Sequence, residues 1–192
     1  MKLRYVGDSY DIVKQSLLRW LGSCGKWAAH PMFTEHVSPD DVAAFSRLLG
    51  VPLLSCDVLE SNTTRDAYFA GARTCPDHLF LDPDIGFRLS ASRSEEAPSY
   101  LFGPEIISIV SKRPTSLTLV FDQSLARGRE REQLEEKLAY LDTHGIAAFA
   151  YVSHASFILM GTCEGLVKKA FEAVQAESGL PTNRFVTNYR TT

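Results

Sequence analysis

The sequence is short of the features that mark the commonest special cases. Its four cysteines, Cys24, Cys56, Cys75 and Cys163, are never closer than 19 positions to one another. That excludes a C-x-x-C redox pair and a zinc-knuckle spacing, and reduced thiols buried in a cytoplasmic protein are the expectation. Long apolar runs are missing too. None approaches the ~20 residues of a membrane-spanning helix, so no membrane partner is expected. The opening MKLRYVGDSYD carries charge and glycine where a signal peptide has an apolar stretch. Neither sign of charge dominates: 20 Lys+Arg stand against 23 Asp+Glu, a net −3. Bulk electrostatic capture of nucleic acid is therefore disfavoured, although a local basic face stays open. The five histidines show no metal-ligand spacing, and His30 and His36 lie on either side of Pro31 rather than on one helical face.

What is present is a core. At 192 residues with 45% apolar and 22% charged residues, the chain reads as a single globular domain spanning 1–192. Such a domain buries roughly 70% of the surface its unfolded form exposes. Residues 88 to 99, RLSASRSEEAPS, are Ser-rich and charged and predict an exposed loop or lid.

The remaining chain alternates between helical and strand patterns. Asp11 to Leu21 places Ile12, Leu17, Leu18 and Leu21 at helical spacing, with Asp8 or Ser9 as N-cap. Ser38-Pro39-Asp40-Asp41 has the signature of a helix start, and Gly50 of its stop. Val51 to Val58 reads as a strand, as do residues 78 to 82 and 116 to 122. Arg129 to Thr143 predicts a helix with Leu134, Leu138 and Leu141 facing inward. Ile146 to Val152 and Ser156 to Thr162, joined by Ser153-His154-Ala155, permit only an antiparallel hairpin. Thr162 is the expected cap of a last helix over 163 to 178, closed by Gly179. The fold class expected is α/β, a mainly parallel doubly wound sheet of Rossmann-like methyltransferase type with an antiparallel hairpin at its carboxyl-terminal end.

In a parallel sheet ligands sit outside the carboxyl ends of the strands. Three predicted strands end in aspartate: Asp57, Asp82 with Asp84 two residues on, and Asp122. Pro83 stiffens the backbone between Asp82 and Asp84, and Gly86 allows a turn beyond them. Two carboxylates on a rigid exit can orient an amine or hold Mg²⁺ or Mn²⁺ through hard oxygen ligands. Gly7, Asp8, Asp11 and Lys14 line the same rim or cap a helix. His30, even with Glu35 as partner, reads as a surface or core histidine. Arg127, Arg129 and Arg131 form a small basic cluster that suits phosphate or a solvated face equally.

Two motifs carry a resemblance. Tyr5-Val6-Gly7-Asp8-x-x-Asp11-x-x-Lys14 before an apolar helix is similar to the amino-terminal motif of the large-subunit rRNA adenine methyltransferases related to RlmJ. Leu79-Phe80-Leu81-Asp82-Pro83-Asp84 resembles that family's Asp-Pro-Pro-Tyr motif, and the Asp-Pro-Asp-x-Gly form resembles that of a related bacterial and phage group. The resemblance implies S-adenosylmethionine as cofactor and nucleic acid as substrate. By it, Asp82 and Asp84 are catalytic, Asp82 orienting the target amine. Gly7, Asp8, Asp11 and Lys14 approach the methionine end of the cofactor and Asp57 its adenosine. The chain departs from the family after its first strand, where Trp27 to Glu35 holds no glycine, and at Asp84 and Ile85 in place of proline and an aromatic residue. Three functions follow: a diverged methyltransferase, a Mg²⁺- or Mn²⁺-dependent nuclease or phosphoesterase using Asp82, Asp84 and Asp122, or an inactive binding module. Oligomeric state is not legible.

Overall fold

The computed structural model describes residues 6–91 and 94–189. One six-stranded sheet is built from β1 (Trp27–His30), β2 (His78–Leu81), β5 (Thr118–Asp122), β6 (Ala147–Val152), β7 (Ser156–Gly161) and β8 (Phe185–Thr187). Their order is β1-β2-β5-β7-β6-β8. β1, β2 and β5 pair in parallel, whereas β7 runs antiparallel to both β5 and β6, and β8 antiparallel to β6. The fold is thus α/β as expected, and the sheet is mixed: β1, β2, β5 and β6 run one way, β7 and β8 the other. The hairpin does not hang on an edge. Its second strand inserts between β5 and β6 and is buried along its whole length.

Helices cover both faces, and strand alternation sorts the core between them. On one face Phe80, Leu119, Phe121, Phe149 and Phe157 pack against α1 (Ser9–Trp20), α2 (Pro39–Leu49) and α7 (Glu164–Ser178). On the other, Leu79, Leu81, Val120, Ile158 and Met160 meet α3 (Arg65–Tyr68), α4 (Ala70–Thr74), α5 (Gly103–Ser111) and α6 (Glu130–Asp142). The period-2 projection of a strand produces this division directly. Among the described residues no helix is long and apolar enough to cross a membrane.

Local signals are mostly obeyed. Ser38 and Asp41 form a capping box, Pro39 opens α2, and Gly50 closes it in the left-handed conformation. Leu134, Leu138 and Leu141 face inward on α6. Other expectations need correction. Ile12 is 49% exposed, and the inner face of α1 begins with Asp11 and Lys14. Cys163, not Thr162, is the N-cap of α7, because the Thr162 hydroxyl donates to Pro114 O. Val51 to Val58 forms no strand; it only touches the sheet through isolated parallel bridges, Leu53 to Ala29 and Val58 to Phe33. Pro52 interrupts donation along the run while its carbonyl accepts from Ala29 N. The expected loop over 88–99 is exposed from Ser90 to Glu96 among its described residues, but Ala97 and Pro98 are buried beside β4 (Tyr100–Phe102).

β4 pairs in parallel with β3 (Gly86–Arg88), a short strand directly after the Asp82–Asp84 exit. Gly86 has φ +146, and a Cβ there would run into Asp122 Oδ1. Only glycine lets β3 lie this close to the end of β5. Gly86→Ala is expected to lower unfolding stability by about 3 kcal/mol, read as a shifted urea midpoint, by combining backbone strain with displacement of a buried carboxylate.

Candidate functional site

The first turn of α1 organises the rim. Asp8 caps the helix, its Oδ1 accepting from Asp11 N at 3.0 Å. Asp11 and Lys14, three residues apart, share the buried face that Leu17 and Leu18 continue. Asp11 Oδ2 accepts from Gly7 N at 2.9 Å, and Lys14 Nζ donates to Asp11 Oδ1 at 3.0 Å. The same ammonium donates to Asp82 Oδ2 at 2.9 Å, across 68 residues of chain. Asp82 is 1% exposed, and Lys14 lies 4.6 Å from the Phe121 ring centroid. Residues 7, 8, 11, 14 and 82, named from the two motifs, are thus brought into one connected group.

The electrostatics of this group are those of buried partners. Burial works against the Lys14 ammonium, but the carboxylates of Asp82 and Asp11 outweigh it and raise the lysine pKa above its ordinary value. Burial raises the Asp82 carboxyl above the usual range, with Lys14 pulling it back. Both directions fit one cation shared by two acids. Asp82 Oδ1 has no hydrogen-bond partner among the described residues, although it is buried. Leaving such an acceptor unmet costs about 1–3 kcal/mol.

The other strand-end acids do not join it, and register gives the reason. Leu81 pairs with Val120, so Asp82 lies level with Phe121, and Asp122 is one residue further along. One residue reverses the face. Asp82 therefore turns toward α1 and Asp122 toward α6, where Lys137 Nζ donates to Asp122 Oδ2 at 2.6 Å. Asp122 Oδ1 accepts from Phe87 N, Ser124 N and Ser124 Oγ. Asp84 sits in the exit loop, accepting from Ser99 Oγ at 3.4 Å, while its carbonyl accepts from Gln123 Nε2. Among the described residues no group of three or more His, Cys, Asp or Glu side chains could hold a metal ion. Lys137 was missed in the sequence. Its position three residues after Leu134 and one before Leu138 on the inner stripe of α6 was the available signal.

At the end of β1 the sheet carries His30, 1% exposed, against the rings of Tyr68 (5.0 Å between centroids) and Phe69. Neither ring nitrogen has a hydrogen-bond partner among the described residues, and burial lowers its pKa to about 4. In the next turn Met32 takes φ +47, a left-handed conformation unusual for its type. Pro31, Met32 and Phe33 are buried there, where the methyltransferase resemblance implies a glycine-rich turn. Asp57 is not at a strand end. It closes a small turn, accepting from Ser55 Oγ at 2.9 Å, on the exposed side of this corner. Tyr68 Oη donates to Asp57 O at 3.3 Å.

The basic cluster is largely neutralised. Arg129 pairs with Glu132 and Arg131 with Glu135, both at 2.9 Å. Arg127 borders a cleft of about 120 Å³ with Asp122, Glu130, His154 and Ser156. His154, in the β6–β7 turn, packs against Tyr10 in a tilted arrangement, 4.3 Å between centroids, and so joins the hairpin to the start of α1.

Two expectations follow. Lys14→Met leaves two buried carboxylates without their cation and lowers stability by about 3–5 kcal/mol. Adding Asp82→Leu to it restores part of that loss in denaturant unfolding, the sign of direct coupling. His30 titrates below its unfolded value of 6.5, so stability is present above that pH and is lost as pH falls toward about 4. Compared at about pH 7.5 and about pH 4.5, His30→Leu gains about 2–3 kcal/mol on the parent chain, measured by urea unfolding. Comparison with family models, with curated proteins and with solved structures gives no match for this chain.

Proposed function

We propose that the chain is a diverged S-adenosylmethionine-dependent methyltransferase-like protein acting on an amine of a nucleic-acid base. The observation that carries this reading is the meeting of Lys14 with Asp82 at 2.9 Å. The two segments behind the resemblance are 68 residues apart in sequence and meet in space. The mixed sheet with its antiparallel hairpin strand supports a Rossmann-like methyltransferase layout as well.

In this reading Asp82 orients the target. Lys14 fixes the carboxyl group through Oδ2, leaving Oδ1 to accept a hydrogen bond from an exocyclic amine. Asp84, two residues along the same exit, borders the substrate. S-Adenosylmethionine, when bound, supplies the methyl group. The acids fit it: Asp57 is exposed beside the end of β1 for the adenosine hydroxyls, and Gly7 is exposed at the start of α1 for the methionine end. The turn after β1 fits less closely, because the buried Met32 and Phe33 occupy the place of an open backbone. That mismatch is the reason for the word diverged.

The test is calorimetric titration of the full chain with S-adenosylmethionine. Saturable heat is expected in the high micromolar range, weakened about tenfold in Asp57→Ala by loss of a charged hydrogen-bond acceptor. A chain that takes up no S-adenosylmethionine at these concentrations overturns the proposal and leaves the inactive binding module as the reading.

A further inference from the structure

A second cleft, of about 460 Å³, opens at the opposite end of the parallel strands from Asp82. Lys26 directly precedes β1 and Asp77 directly precedes β2, so the cleft lies at their amino ends. Arg19 in the last turn of α1 and Arg47 in the last turn of α2 complete its charged wall, with Leu18 and Val51 as apolar floor.

Three cations gather around this cleft. Arg19, Lys26 and Arg47 are exposed, and none of their side chains has a hydrogen bond or ion pair with a described residue. Elsewhere Arg129, Arg131 and Lys168 each hold a glutamate at 2.8–2.9 Å. Three cations therefore face one carboxylate, Asp77, in a chain whose net charge is −3. Cations in the last turn of a helix complement its dipole, which accounts for where Arg19 and Arg47 fall in sequence. It accounts neither for Lys26, which lies outside both helices, nor for the concavity the three surround. Gly22 and Gly50 also line the cleft, and no atom lies within 4 Å of where a Cβ would stand on either. Backbone is accordingly open to a ligand at both helix ends. The volume falls in the range of small-molecule sites, roughly 300–1,000 Å³, and below what a folded macromolecule would fill.

We propose that this cleft binds a small phosphate ester bearing hydroxyl groups. Arg19, Lys26 and Arg47 meet the phosphate, the two guanidinium groups offering paired donors. Asp77 and the carbonyls at the end of α2 accept from hydroxyls, a role that a bare anion would leave unused. The inference stands apart from the proposed methyl transfer, since it shares no residue with the Asp82 rim.

The test is calorimetry on the full chain with ribose 5-phosphate, inorganic phosphate and ribose. Ribose 5-phosphate is expected to bind, inorganic phosphate more weakly and ribose not at all. Arg19→Gln/Arg47→Gln is expected to weaken ribose 5-phosphate at least about tenfold, the loss of two charge-assisted contacts. Asp77→Asn is expected to weaken ribose 5-phosphate while leaving inorganic phosphate unchanged. Both arginines are exposed, so their removal reads on the cleft and not on the core. Absence of ribose 5-phosphate binding, or binding that the double variant leaves intact, overturns the proposal. So does an oligonucleotide that binds through these arginines when ribose 5-phosphate does not, which would make the cleft a surface for nucleic-acid backbone.

Discussion

A single ammonium group joins the start of α1 to the end of β2. Lys14 is buried between Asp11 and Asp82 and has no other way to remain charged out of water. Breaking the contact would strand two acids on one face of the sheet, so the helix cannot rotate or slide without electrostatic cost. The apolar stripe of Leu17, Leu18 and Leu21 holds the same helix nonspecifically, by area. The lysine adds register. It decides which turn of α1 faces the strand ends and therefore which residues, Gly7 and Asp8, stand at the rim.

The opposite face repeats the device with different parts. Lys137 of α6 grips Asp122 at the end of β5, and Ser124, Phe87 N and the close approach of Gly86 complete the shell. Two buried lysine–aspartate pairs therefore fasten one helix layer each to neighbouring strand ends. They differ in one respect. Both Asp122 oxygens accept hydrogen bonds, whereas Asp82 Oδ1 has no partner among the described residues.

Element by element, much of this was legible in the sequence. The capping box at Ser38, the stripe on α6 and the three-residue hairpin turn are local patterns, and local physics decides them. That Gly7, Asp8, Asp11 and Lys14 share a rim with Asp82 was one of two readings of the sequence, beside helix capping, and the direct contact of residue 14 with residue 82 was not legible, since nothing in spacing brings them together. The idea of converging strand-end acids failed to survive at Asp57 and Asp122 for two different reasons. Asp57 follows a segment that Pro52 keeps from becoming a strand. Asp122 lies at a true strand end but one residue out of step with Asp82, and register between strands is not written in either strand alone. His30 presents the same difficulty. Its full burial depends on Tyr68 and Phe69, which arrive from short helices that sequence pattern did not reveal.

The place of β7 in the sheet bears on how the chain can be assembled. β6 is made first along the chain, yet it cannot reach β5 until β7 has been laid between them. Through synthesis of the first 155 residues, β5 must therefore keep one hydrogen-bonding edge open to solvent, with Leu119 and Phe121 uncovered on one side. An open, apolar edge of this kind invites pairing with other chains. Docking as a preformed hairpin would close that edge in one step, which would make the tight Ser153-His154-Ala155 turn a kinetic element as well as a connection. Delay in closing that turn would lengthen the time for which a growing chain is exposed to its neighbours.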